Sequence, residues 1–276
     1  MNQTVRTRRF IEPTQPAARA ELPSGDVTDG VVRIGNTVRR PHQPTSFAVG
    51  AYLDHLERVG FTASPRYLGQ DAQGRDVLTF LEGDVATKDP QPWVLTEALL
   101  ASVARLTRDL HDASAGYDPS GEPFPVRPVR QDPFELVTHL DITPENVVVR
   151  DGQAVGLIDF DLAGPSTCFI DSFNTAMHWV KLKDPADLRG AWSGVDQLSR
   201  LRLFADAYGW LDHERRRLPD FGAERACLSW ERMKHNAQNR GGGWATMWSE
   251  GVGDVILRRR TWLLANADAI RSALLD

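Results

Sequence analysis

Cysteine is scarce in this chain. Cys168 and Cys227 are the only two among 276 residues, which argues against a disulfide framework or a cysteine-based zinc site and fits a reducing, cytoplasmic setting. No apolar run approaches the ~18 residues expected of a membrane span, so no membrane segment is predicted. The opening stretch "MNQTVRTRRFIEPTQPAARAE" is rich in arginine but has no apolar core, so it does not read as a secretory signal. An excess of positive charge is also missing. The 32 basic residues face 37 acidic ones, for a net charge of −5, which argues against general nucleic-acid binding. The seven histidines fall in no metal-binding spacing of the His-Glu-x-x-His kind. There is no internal repeat, and nothing in the pattern fixes an oligomeric state.

What is present is an ordinary globular composition, 41% apolar and 25% charged, long enough for one large domain or two lobes. Residues 1–20 read as a polar arm. "GVVRIGNTVRR" holds two short β-rich runs around Gly35-Asn36, a hairpin signal. "PRYLGQDAQGRDVLTFL" repeats the pattern with "DAQG" as its turn. Between them, Val49, Tyr52, Leu53 and Leu56 fall at i, i+3, i+4 and i+7, the spacing of an amphipathic helix. "WVLTEALLASVARLTRDLHDAS" is a second helix, followed by the Pro-rich "DPSGEPFPVRPVRQDP". From Asp171 onward the chain reads as mostly helical. The expected division is the arm at 1–20, a small antiparallel β lobe at 21–84 and a larger helical lobe at 85–276.

The chemistry concentrates in "HLDITPENVVV" (139–149) and "LIDFD" (157–161). "NVVVRDGQAVGLIDFD" reads as a hairpin turning at Asp151-Gly152. That geometry carries Asn146 and Asp159 to the same open end, with Asp141 on the loop before it. Carboxylate and amide oxygens gathered this way suit Mg²⁺, which takes few protein ligands and binds phosphates as well. A carboxylate that holds no metal suits a base that orients a hydroxyl.

These residues resemble the catalytic and metal-binding motifs of the aminoglycoside phosphotransferase family, relatives of the protein kinases. His139, Asp141 and Asn146 match a His-x-Asp-x-x-x-x-Asn pattern, and Asp159, Phe160 and Asp161 match an apolar-Asp-aromatic-acid pattern. The resemblance implies a two-lobed, protein-kinase-like α+β fold and transfer of the γ-phosphoryl group of ATP to a hydroxyl of a small-molecule acceptor. It implies Asp141 as catalytic base, Asn146 and Asp159 as Mg²⁺ ligands, Asp161 as a supporting acid, His139 as a loop brace and Asp171 as a structural brace. The alternatives are a nucleotide- or ligand-binding pseudoenzyme of the same fold, or a kinase acting on a peptide.

The resemblance also implies a nucleotide site in the β lobe. "LPSGDVTDGVV" is the candidate phosphate-covering loop, with Gly25 and Gly30 allowing close approach and Thr28 offering a hydroxyl. Strand "NTVRRP" carries no lysine. Arg39 and Arg40 compete to contact the phosphates, and they point to opposite faces. The family's apolar-apolar-Arg pattern favours Arg39; alternation with Val38 favours Arg40. Arg39 is preferred. Val49 stands where the family has a helix glutamate, and Glu57 is a poor substitute. Thr79, Phe80 and Leu81 are expected to meet the adenine through backbone groups. His111 and His178 are expected at the surface or in packing. Trp179, Trp230, Trp244 and Trp248 are expected in the core, with an acceptor pocket as the alternative. "RGGGWATMWSEG" is expected to be an interhelical loop or part of an acceptor rim. An aminoglycoside acceptor would want an acidic pocket, yet the acids of the C-terminal half do not cluster.

Overall fold

The computed structural model describes residues 10, 19–21, 30–87, 90–121, 124 and 134–276. The chain packs as two compact units. The first takes residues up to Val85 together with Asp109–Ile142 and Asn146–Asp171; the second takes Ala86–Arg108, Thr143–Glu145 and Ser172–Asp276.

The first unit is built on β1 (Arg19–Glu21), β2 (Val32–Ile34), β3 (Thr37–Arg40), β4 (Tyr67–Gln70) and β5 (Asp76–Thr79), an antiparallel sheet in the order β1-β2-β3-β5-β4. Gly35, at φ 61°, makes the β2–β3 turn with Asn36, as such turns require. In the register, Arg39 lies opposite Val32 and Val77, and Arg40 lies opposite Asp76. Helix α1 (Ser46–Arg58) buries Val49, Tyr52, Leu53 and Leu56, the apolar face read from the sequence. Gly50 permits that packing, because a Cβ there would lie 2.9 Å from the Tyr67 ring. Tyr52 is wholly buried. Its hydroxyl pairs with Ser114 Oγ at 2.5 Å and donates to the Val137 carbonyl at 3.1 Å.

The same unit holds β6 (Leu136–Thr138), which pairs with β9 (Gly164–Ser166), and the hairpin of β7 (Val147–Arg150) with β8 (Gln153–Leu157). Asp151 and Gly152 turn that hairpin at φ 51° and 71°. Val149 exchanges two backbone hydrogen bonds with Asp84, at 2.8 and 2.9 Å.

The second unit is helical, matching the expected fold class. Pro92–Leu95 form a 3₁₀ turn, Thr96 breaks it, and α2 (Glu97–Ser114) begins there and ends in the first unit. Helix α3 (Cys168–Ala176) continues as a π-helical turn at Met177–Lys181. Then come α4 (Gln197–Tyr208), α5 (Asp212–Asn239), α6 (Gly242–Ser249), α7 (Val252–Ala265) and α8 (Ala267–Leu275). Asp196 caps α4 by accepting from the Leu198 and Ser199 amides, and Gly209 at φ 90° closes it. Gly222 lets α5 approach α7, since a Cβ would lie 3.0 Å from Leu263. Trp179 is fully buried in the core. The glycine-rich segment is not a loop: most of it forms α6, held by Trp248 packing on Trp230 with ring centroids 5.5 Å apart. Among the described residues, no helix is long and apolar enough to cross a membrane.

His178 sits in the π-helical turn. Burial, with Lys181 and Arg259 close by, pushes its imidazole down to about 3. A depressed histidine stays unprotonated in the folded chain while the unfolded chain takes up a proton. Its contribution to stability is therefore complete above the unfolded value near 6.5 and lost as the pH falls below it. Stability attributable to this group should fall by about 1.4 kcal/mol per pH unit between roughly 6.5 and 4. Urea titrations of wild type and His178→Gln should diverge over that window, with the variant flatter. Parallel curves would show that His178 protonates freely.

Candidate active site

The loop from His139 to Asn146 is fixed from both sides. His139 is fully buried, and its Nε2 donates to the Ile158 carbonyl at 2.9 Å. That tautomer leaves Nδ1 to accept the Asp141 amide at 3.3 Å. Leu140 adopts φ 63°, a left-handed conformation that costs a branched side chain energy and must be held by its surroundings. The holder is Asp171: one carboxylate oxygen accepts the Leu140 amide at 2.9 Å, and the other accepts His111 Nε2 at 2.9 Å. Asp171 and His111 are both buried. His111 is therefore an anchor of the loop rather than a surface residue. Nothing in the sequence pairs it with a residue 60 positions away.

Asn146 ties the loop to the hairpin. Its Nδ2 donates to the Asp141 backbone carbonyl and to Asp141 Oδ2, both at 2.9 Å. With both amide hydrogens turned toward Asp141, the side-chain oxygen points elsewhere as an acceptor or ligand. The Asn146 carbonyl accepts the Ile158 amide at 2.9 Å, which closes the hairpin mouth and sets Asp159 next in line. Asp159 also takes a left-handed conformation, with φ 62° and ψ 67°. Its carboxyl is held above its ordinary value, first by desolvation and then by the neighbouring Asp161 carboxylate. The three oxygen-bearing side chains read from the sequence thus share one end of one hairpin.

Arg40 completes the cluster. It is hydrogen-bonded to Asp161 Oδ2 and lies 3.7 Å from Asp159 Oδ1. Burial works against its charge, but Asp161 and Asp159 outweigh it and hold the guanidinium above its ordinary pKa. Arg39, the residue preferred from the sequence, lies elsewhere. Arg39 is fully buried on the other face of β3, where it hydrogen-bonds Thr37, lies 3.6 Å from Asp71 and stacks on Phe10. The two arginines do take opposite faces, and the face bearing Asp159 belongs to Arg40. Val49 lines a small cavity with Arg40, Tyr67, Asp76 and Asp161. No acid of α1 is among the residues lining that cavity, and Glu57 pairs with Arg66 at 3.3 Å.

In the stretch expected to meet the adenine, two amides are used within the first unit. The Thr79 amide is spent on the Arg66 carbonyl at 3.0 Å, and the Phe80 amide on the Asn36 carbonyl at 2.8 Å. Those two N–H groups hold the sheet together and cannot also serve an adenine edge. Leu81 packs near Gly156, where a Cβ would meet its Cδ1 at 2.7 Å. Gly30 is exposed at φ 82°. Gly25 and Thr28 lie outside the described residues.

A braced Asp-containing loop, a hairpin and a left-handed aspartate after it, beside an antiparallel sheet with one helix, define a protein-kinase-like phosphotransferase. Residues 125–204 match the family model of the phosphotransferase enzyme family. A trifolitoxin immunity protein from Rhizobium leguminosarum bv. trifolii is 33% identical over 191 residues, 65% of this chain and 70% of that protein. A choline/ethanolamine kinase family protein from Mesorhizobium loti has the same fold, with TM-score 0.58 at 15% identity over 95% of this chain and 92% of its own. So does an amicoumacin kinase in complex with AMP-PNP, Ca²⁺ and Ami, with TM-score 0.55 at 14% identity over 95% of this chain and 91% of its own. The chain belongs to the phosphotransferase enzyme family.

Proposed function

We propose that the protein is a small-molecule kinase that transfers the γ-phosphoryl group of ATP to a hydroxyl. The observation that carries this is the double hydrogen bond from Asn146 to Asp141, made at the hairpin mouth that also presents Asp159. Asp141, oriented by Asn146, accepts the proton of the acceptor hydroxyl as its oxygen bonds to the γ-phosphorus and ADP leaves. Hard oxygen donors on Asn146 and Asp159, with Asp161 beside them, fit a divalent cation such as Mg²⁺. When bound, such an ion would neutralise charge on the phosphate oxygens. Arg40 is the residue assigned to the phosphates in place of the family's lysine, and Asp161 is its carboxylate partner in place of a helix glutamate. The kinship with a trifolitoxin immunity protein supports an acceptor that is itself a toxin or antibiotic. A second reading, a nucleotide binder without turnover, draws support from Val49, which replaces the helix acid.

The test is to titrate ATP with and without Mg²⁺ and then to screen hydroxyl-bearing antibiotics, sugars and amino alcohols for phosphorylation by mass. A phosphorylated acceptor supports the kinase. Tight ATP binding with no transfer to any acceptor or to water supports the second reading.

The two arginines should separate cleanly. Arg40→Ala should weaken ATP binding by about 10- to 100-fold, the worth of a charge-assisted hydrogen bond, with little change in folding stability. Arg39→Ala should instead cost about 2–4 kcal/mol of stability, less than a fully broken buried pair because Arg75 stays on Asp71 at 2.8 Å. Calorimetry and urea unfolding on both variants check this. Unchanged ATP affinity in Arg40→Ala would remove β3 from the phosphate site.

A further inference from the structure

The second unit holds a group of cations that the mechanism does not use. The π-helical turn ends at Lys181, which adopts φ 63°, and Lys183 follows two residues later. Both π turns and left-handed non-glycine residues are energetically unfavourable and concentrate at functional sites. This segment is firmly held. Gln197, itself buried, donates its side-chain amide to the carbonyls of Lys181 and Lys183, the latter at 2.8 Å. Arg200 donates to the Trp179 carbonyl at 2.9 Å.

What the segment presents is unbalanced charge. Lys181 lies over the Trp192 ring at 4.7 Å, and Arg259 from α7 donates to the Met177 sulfur at 3.0 Å, a weak acceptor. The Arg259 Nε is buried and has no hydrogen-bond partner. Among the described residues, Lys181, Lys183 and Arg259 form no ion pair. The nearby acids do not balance them. Asp187 is taken by Arg258, at 2.6 and 2.9 Å, and Glu145 is exposed. Arg189 adds further positive charge beside Lys183. Burial lowers the proton affinity of all three: Lys181 is pushed down to about 8, with Lys183 and Arg259 adding to the effect, Lys183 is lowered with Arg259 adding to it, and Arg259 is lowered by desolvation. Half-buried like charges held together with no direct ion pair are costly, and a bound anion removes that cost.

We propose that Lys181, Lys183 and Arg259, with His178 beside them, form a binding site for an anionic oxygen group, a carboxylate or a phosphate. A site of this sign selects against polycationic ligands and in favour of acidic ones.

Calorimetric titration of the full chain with inorganic phosphate and with succinate tests the proposal, and each distinguishes one source of negative charge. The wild type should bind at least one of them saturably. Lys181→Met should weaken that binding by about tenfold or more, as loss of a charge-assisted contact does. Lys183→Met provides the second variant should the first fail to fold. Both variants should melt at a higher temperature than wild type in anion-free buffer, because a like-charge repulsion is gone, and should gain less from added anion. Arg40→Ala should leave the anion affinity unchanged; if it abolishes it, the anion sits at the nucleotide site and the proposal fails. No saturable binding to wild type, or equal affinity in wild type and the folded lysine variants, also overturns it. ATP affinity measured on the same samples keeps the two readings apart, since failure of ATP binding counts against the kinase and not against the anion site.

Discussion

Asp141→Asn should bind ATP and Mg²⁺ as wild type does and transfer phosphate about 10²–10⁴-fold more slowly, the usual worth of a positioned base. The substitution is close to isosteric and leaves the loop's supports intact. The Asn146 amide still finds the backbone carbonyl of residue 141, and the new side chain still offers an oxygen to it. His139 still holds Ile158, and Asp171 still holds Leu140. Only the ability to take a proton and to carry negative charge is lost. The effect should therefore fall on kcat, with the nucleotide affinity retained. Equal turnover by the two proteins would remove Asp141 from the mechanism. Loss of ATP binding in the variant would make Asp141 a metal ligand rather than a base.

Asp159→Asn should remove the Mg²⁺-dependent part of ATP affinity. The residue supplies a formal charge to the hairpin mouth, and an amide cannot replace it toward a hard cation. Fold damage should be slight. The side chain is 44% exposed, and Arg40 keeps its hydrogen bond to Asp161 when Asp159 is neutral. Calorimetry with and without Mg²⁺ gives the answer directly. If the variant keeps the wild-type Mg²⁺ dependence, the cation is held elsewhere. Asp161 is the first residue to examine in that case.

Much of this arrangement can be read from local sequence, because the signals are local. Gly35 and the pair Asp151-Gly152 supply the positive-φ residues their tight turns require. The apolar spacing of α1 matches its buried face, and Asn146 lies five positions from its partner Asp141. Pairings over longer separations have no such signal. Alternation correctly places Arg39 and Arg40 on opposite faces of β3, but it cannot say which face Asp71 and Phe10 cover. His111 and Asp171 meet only through the tertiary fold. The three glycines at 241–243 read as a loop because glycine disfavours helix, and packing between Trp230 and Trp248 overrides that preference. The π-helical turn at Met177–Lys181 has no sequence signature.

The most direct measurement is the fate of the ATP γ-phosphate, followed by ³¹P NMR with Mg²⁺ and a panel of hydroxyl-bearing antibiotics, sugars and amino alcohols. The expected result is a new phosphate-ester resonance with at least one acceptor, absent in Asp141→Asn. An ATP spectrum unchanged with every acceptor, from a protein shown by calorimetry to bind ATP and Mg²⁺, would contradict the assignment as a kinase.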